Sequence, residues 1–126
     1  MPKRDFNKLL LEAADEGLSS LGESAKQAIY FHLEKRFNVK KQKIPFKIEA
    51  FVDGIENIFG VGANFLEILI IKRLYEKIGW VFEWDESTDF TFTKYVAVAK
   101  RSFLEKKRSE EIVEELVQCK ETMMED

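Results

Sequence analysis

Apolar residues recur every three or four positions through most of this chain, and the recurrence divides it into helices. From Asp5, a residue suited to cap a helix, Phe6, Leu9, Leu10, Ala13, Ala14, Leu18 and Leu21 follow helical spacing. Gly22 then permits a break. The run Ser20-Leu21-Gly22-Glu23 has capping-box spacing and predicts a second helix continuing through Ala25, Ala28, Ile29, Leu33 and Phe37. Asn38 and Lys40-Lys41-Gln42-Lys43 read as a loop, followed by Pro45, which a helix interior does not accept. A third helix from about Lys47 carries Ile48, Phe51, Val52, Ile55, Ile58 and Phe59 and ends at Gly60. A fourth runs from about Ala63 to Ile78 and stops at Gly79. Its apolar residues, among them Phe65, Leu66, Ile68, Leu69, Ile71 and Leu74, point in nearly every direction, so other elements should surround it. It is expected to be the central pillar, with Ile68, Leu69 and Ile71 nearly fully buried.

Beyond Gly79 the pattern changes. Trp80, Phe82 and Trp84 alternate with Val81 and Glu83. After a polar stretch from Asp85 to Asp89, Phe90 and Phe92 alternate with Thr91 and Thr93. Period two on both sides of a short turn predicts a β-hairpin. An aromatic loop followed by a helix capped at Thr88 or Asp89 competes with it, and for Phe90 to Tyr95 both readings stand. From Val96 the pattern is helical through Ala97, Ala99, Phe103 and Leu104. Ser109-Glu110-Glu111 then caps or continues a helix bearing Ile112, Val113, Leu116 and Val117. The expected fold is mainly α: a compact bundle of five or six helices, with at most one short β-hairpin at 80–95. Residues 1–79 form the helical bundle domain, and 80–126 add an aromatic segment and an acidic C-terminal helix packed on it.

Composition narrows the class. At 126 residues, 45% hydrophobic and 34% charged, the chain is that of a globular domain able to bury a core without disulfides or metal. No stretch approaches the ~18 consecutive apolar residues of a spanning helix, and no membrane is expected. A single Cys119 excludes an internal disulfide, and Met1 to Asp5 holds no apolar run like that of a signal sequence, which points to the cytoplasm. Scarce Gln with abundant Lys, Glu, Ile and Phe is the bias of thermophile proteins. Charge divides the chain. Residues 1–79 carry 13 Lys and Arg against 11 Asp and Glu, a net of +2, whereas 80–126 carry 7 against 12, a net of −5.

Leu18-Ser19-Ser20-Leu21-Gly22-Glu23-Ser24, Ala28-Ile29-Tyr30-Phe31-His32-Leu33-Glu34, Ile58-Phe59-Gly60-Val61-Gly62-Ala63 and Leu66 to Glu76 carry a resemblance. The segment from Leu9 to Gly79 resembles the Nitrosopumilus output-domain family, small archaeal helical domains found alone or in signalling proteins. The resemblance implies a regulatory or partner-binding module and brings no catalytic residues with it. It does not extend to 80–126.

The residues themselves offer little chemistry. Nucleophilic catalysis needs a Ser or Cys beside a base, and the one histidine, His32, is expected mid-helix as a partly buried packing residue. Cys119 lies among glutamates, surroundings that disfavour a reactive thiolate. Glu110-Glu111 and Glu114-Glu115 fit a solvated helix face. No phosphate-binding glycine pattern is present. The expectation is a protein that is not an enzyme, with no catalytic residues, no cofactor and no metal. Gly60-Val61-Gly62 has the centre of a helix-hairpin-helix motif. Leu66, however, stands where that motif needs a small residue, so a helix cap and tight turn fits better.

Two features point to partners. Lys35, Arg36, Lys40, Lys41, Lys43 and Lys47 lie between Glu34 and Glu49 with no acid among them, the strongest electrostatic feature of the sequence. They are the candidate contacts for an acidic partner or for phosphates. Against nucleic acid stand the net charge of −3 and a pI near 5.4. A winged-helix reading fails because neither the third nor the fourth helix offers a polar face for base edges. The second feature is aromatic: Trp80, Phe82, Trp84, Phe90 and Phe92 either cap the core or form an interface. Together these predict a regulatory or protein-interaction domain, a homodimer or partner of another protein. Nucleic-acid binding through 35–47 is the alternative.

Overall fold

The computed structural model describes residues 5–80 and 91–124, with side chains described as far as residue 116. Five α-helices follow one another: α1 (Phe6–Ser19), α2 (Glu23–Phe37), α3 (Ile48–Phe59), α4 (Ala63–Ile78) and α5 (Phe92–Met124). Two 3-10 helices, Lys41–Phe46 and Gly60–Gly62, link α2 to α3 and α3 to α4. Among the described residues there is no strand. The hairpin expected at 80–95 is therefore corrected where it can be seen: Phe92 to Tyr95 is the first turn of α5, opened by the Tyr95 amide donating to the Thr91 carbonyl at 3.2 Å. Helical spacing of Phe92, Val96, Ala99 and Phe103 against the core prevails over the short alternation. Residues 81–90, with the rest of that expectation, lie outside the described residues.

The helix ends follow from local chemistry. Asp5 caps α1, its carboxylate accepting from the Asn7 amide at 3.0 Å. α4 closes on Gly79 at φ 78°, a left-handed conformation that glycine adopts without strain, and the Trp80 amide donates to the Tyr75 carbonyl at 2.9 Å. The capping box expected at Ser20 does not form. Its hydroxyl donates back to the Gly17 carbonyl at 2.6 Å, finishing α1 instead, and α2 starts at Glu23 behind Gly22. Pro45 sits inside the 3-10 helix rather than ending a loop.

α4 packs mainly on α1 and on its other flanks against α3 and α5, while α2 lies on α3. The core runs through Leu10, Leu18, Leu33, Phe51, Ile55, Ile70, Ile71 and Leu74, all nearly solvent-free. Ile71 is buried as expected. Ile68 and Leu69 are only half-buried, and Ile70 takes the central place. α4 is thus not enclosed: Phe65 is 81% and Val61 97% exposed, so one apolar side of the pillar faces outward. By length and composition the helical run Ile48–Ile78, 31 residues containing an 18-residue stretch of mean hydropathy 1.5, could cross a membrane. It comprises α3 and α4, two core helices joined at Gly60 to Gly62, and core helices share that composition.

Candidate interaction surfaces

The basic segment runs from the last turn of α2 through the first 3-10 helix to Lys47, and most of its side chains are already engaged. Lys35 lies over the Phe31 ring at 5.9 Å and Arg36 over Phe37 at 5.8 Å. Lys43 lies over Phe46 at 5.6 Å, and Lys41 over Tyr30 at 5.2 Å. Lys41 also pairs with Asp15 at 3.3 Å. Lys47 donates to the carbonyl of Asn38, the left-handed residue that ends α2, at 2.9 Å. Lys40 precedes the 3-10 helix and is exposed. Most of the six rest on aromatic rings or bind the chain's own oxygens.

Asp15 joins three elements. Its carboxylate accepts from the Tyr30 hydroxyl at 2.8 Å and from Lys26 at 3.4 Å, and pairs with Lys41. Burial pushes the Asp15 carboxyl up, but the bonds from Tyr30, Lys41 and Lys26 outweigh it and hold the group below the usual range. Burial, then the Asp15 carboxylate, push the Tyr30 hydroxyl well up, so it stays a donor. Lys26, only 8% exposed, also binds Ser19 at 3.1 Å and Glu23 at 3.2 Å. Beside this network an open groove of about 530 Å³ runs between α1 and the first 3-10 helix, with Glu12 and Glu16 on one wall and Lys41 and Phe46 on the other. The network ties α1, α2 and the 3-10 helix together, and its donors and acceptors are spent on one another.

α5 behaves differently along its length. Its first half presents Phe92, Val96 and Ala99 to the core and Phe103 beside them. Phe92 is only 3% exposed and packs against Phe51 with ring centroids 6.0 Å apart. That corrects its place among the candidate interface residues: it is a core residue. Trp80 is 49% exposed and remains available. Phe82, Trp84 and Phe90 lie outside the described residues. From Arg108 to Leu116 every residue is exposed. The positions that continue the buried stripe there are Glu110 and Glu114, while Ile112 and Leu116, 47% and 60% exposed, lie about 170° and 130° away around the helix axis and Val113, 58% exposed, about 70° away. Charge changes at the same point. Lys100, Arg101, Lys106, Lys107 and Arg108 give way to Glu110, Glu111, Glu114 and Glu115.

This shift in the apolar face lies in the residue spacing, though no motif marks it. The outward face of α4, where Val61 and Phe65 join half-buried Ile68 and Leu69, has no signal in the sequence that separates it from core. His32 is exposed on α2, edge-on to Phe31 at 5.8 Å, and not a packing residue. Among the described residues no three His, Cys, Asp or Glu side chains come together in a metal-holding group. Comparison with known protein families, curated proteins and solved structures finds no match for this chain.

Proposed function

We propose that this protein is a non-enzymatic interaction domain that engages protein partners through the far half of α5. One observation carries the reading: an unbroken helix leaves its bundle and, where it leaves, moves its apolar residues to a new side and exposes them. Had the far half evolved to pack on its own core, Glu110 and Glu114 would be apolar. Scattered exposed apolar residues are ordinary, but Ile112, Val113 and Leu116 on one face of a projecting helix are the anchors of helix-in-groove recognition. With the resemblance of Leu9 to Gly79 to signalling output domains, the role proposed is regulatory, in the cytoplasm of an archaeal cell.

Nucleic-acid binding through Lys35 to Lys47 gains less support. Lys41 and Lys47 are committed to Asp15 and Asn38, and burying phosphates there would disrupt those bonds. The test uses the full chain in two titrations. DNA and RNA are titrated at low and moderate salt with the wild type and with Lys40, Lys41 and Lys43 changed to Glu. The reading expects no binding that falls steeply with salt. In parallel, I112D/L116D should melt like the wild type and lose protein–protein association. Salt-steep nucleic-acid binding abolished by the triple change would overturn the reading.

A further inference from the structure

This inference rests on the interaction reading above and names the partner. Among the described residues, α5 and α4 each leave an apolar surface uncovered. One is the far half of α5, with Ile112, Val113 and Leu116. The other is the outward face of α4, where Phe65 at 81% exposure and the half-buried Ile68 and Leu69 follow Val61 at the corner. We infer that each receives the other in a second copy of this chain: the α5 tip of one copy seats on the α4 face of its partner, and the partner's tip seats on the first copy in return.

Three observations fit the two surfaces together. They match in chemistry, aliphatic residues on the tip against an aromatic and two aliphatic residues on α4. They are opposite in charge. Glu110, Glu111, Glu114 and Glu115 flank the tip, while on α4 the turn after Leu69 carries exposed Lys72 and Arg73, the latter held only loosely by Glu76 at 3.8 Å. Ion pairs at the rim of such a contact set register and orientation. They also match in length: Ile112 to Leu116 on α5 and Phe65 to Leu69 on α4 each span roughly 6 Å at 1.5 Å per residue.

The seat cannot be on the same molecule. α5 is a single unbroken helix whose first half is fixed to the core by Phe92, Val96 and Ala99, so its tip points away and cannot fold back onto the outward face of its own α4. A two-fold pair also forms the contact twice. One contact of three or four side chains a side falls short of the roughly 1,600 Å² of a stable interface, and doubling it closes much of that gap.

Sedimentation equilibrium with Phe65→Asp and Leu116→Asp tests this on the full chain. Both residues are mostly exposed, so both variants should keep the wild-type melting curve, which is checked first. The wild type is expected to dimerise at micromolar concentration. Each variant alone should raise the dimer dissociation constant roughly thirtyfold or more, as losing an interface anchor does. Mixing the two variants should recover part of the association, because the intact tip of F65D meets the intact α4 face of L116D. If F65D dimerises like the wild type while L116D does not, tips pair with tips and the α4 seat is wrong. A wild type that stays monomeric to hundreds of micromolar overturns the second copy as partner. The wider interaction reading is then judged separately, by the nucleic-acid titration and by whether I112D/L116D loses a different protein.

Discussion

Gly17 faces Ile70 across the contact between α1 and α4. A methyl group added there would meet Ile70 Cγ1 at 2.6 Å, and Ile70 is fully buried with no free space to move into. Alanine normally favours a helix interior over glycine by about 1 kcal/mol. Here overpacking should win, and Gly17→Ala should lower the unfolding free energy by about 1–3 kcal/mol. Urea denaturation measures it, and a more stable variant would mean that α1 and α4 are not in close contact. Glu67 is a second case in which one residue sets a bulk property. It is 2% exposed with its Oε1 unpartnered, and burial first, then the Glu56 charge, push its carboxyl up to about 7. The unfolded chain releases that proton near 4.5, so between about 4.5 and 7 the folded state binds more protons than the unfolded one. This group's contribution to stability therefore falls as pH rises through that window, opposite in sign to Asp15, whose contribution is lost as pH falls. Glu67→Gln should remove the decline. The stability of the variant relative to the wild type should rise by about 3 kcal/mol between pH 4.5 and pH 8. A difference that does not change with pH would contradict the assignment.

At the scale of elements, helices whose ends depend on a neighbouring residue were legible in the sequence. Asp5, Gly60 and Gly79 mark the ends of α1, α3 and α4 because capping is local. What was not legible depends on distant partners. Ser20 has capping-box spacing, but its hydroxyl turns back to Gly17. Ile68 and Leu69 look like core residues because hydrophobicity alone cannot tell a side covered by α1 from a side covered by nothing. The basic residues of 35–47 were visible as charges. Their engagement by Tyr30, Asp15 and Phe46 is not visible without the fold. α5 is the case where more could have been read, since the change of apolar face after Phe103 lies in the spacing itself. It carries a consequence for stability. Ending the chain at Arg108 should leave the melting temperature of the bundle within about 2 °C of the full chain's, because a loss of 1 kcal/mol would already cost about 4–8 °C in a domain of this size. A larger drop, read by circular dichroism at high dilution, would mean that the far half of α5 supports its own bundle.

For the whole molecule, the distribution of charge and apolar surface forms one arrangement. The net +2 of residues 1–79 and the net −5 of 80–126 are not spread evenly, since the glutamates concentrate on the projecting part of α5 and Lys72 and Arg73 flank the open side of α4. In the proposed pair, such a division disfavours wrong orientations of the second copy and favours one. Hydrogen exchange along α5, followed over a dilution series of the intact chain, tests this directly, because free helix exchanges quickly and docked helix does not. Amides of 96–104 should be protected at every concentration. Those of 110–122 should be protected only at high concentration, gaining protection together with those of the α4 stretch 65–73. Protection of 110–122 equal to that of 96–104 at the lowest concentration, or none at any concentration, would contradict the account.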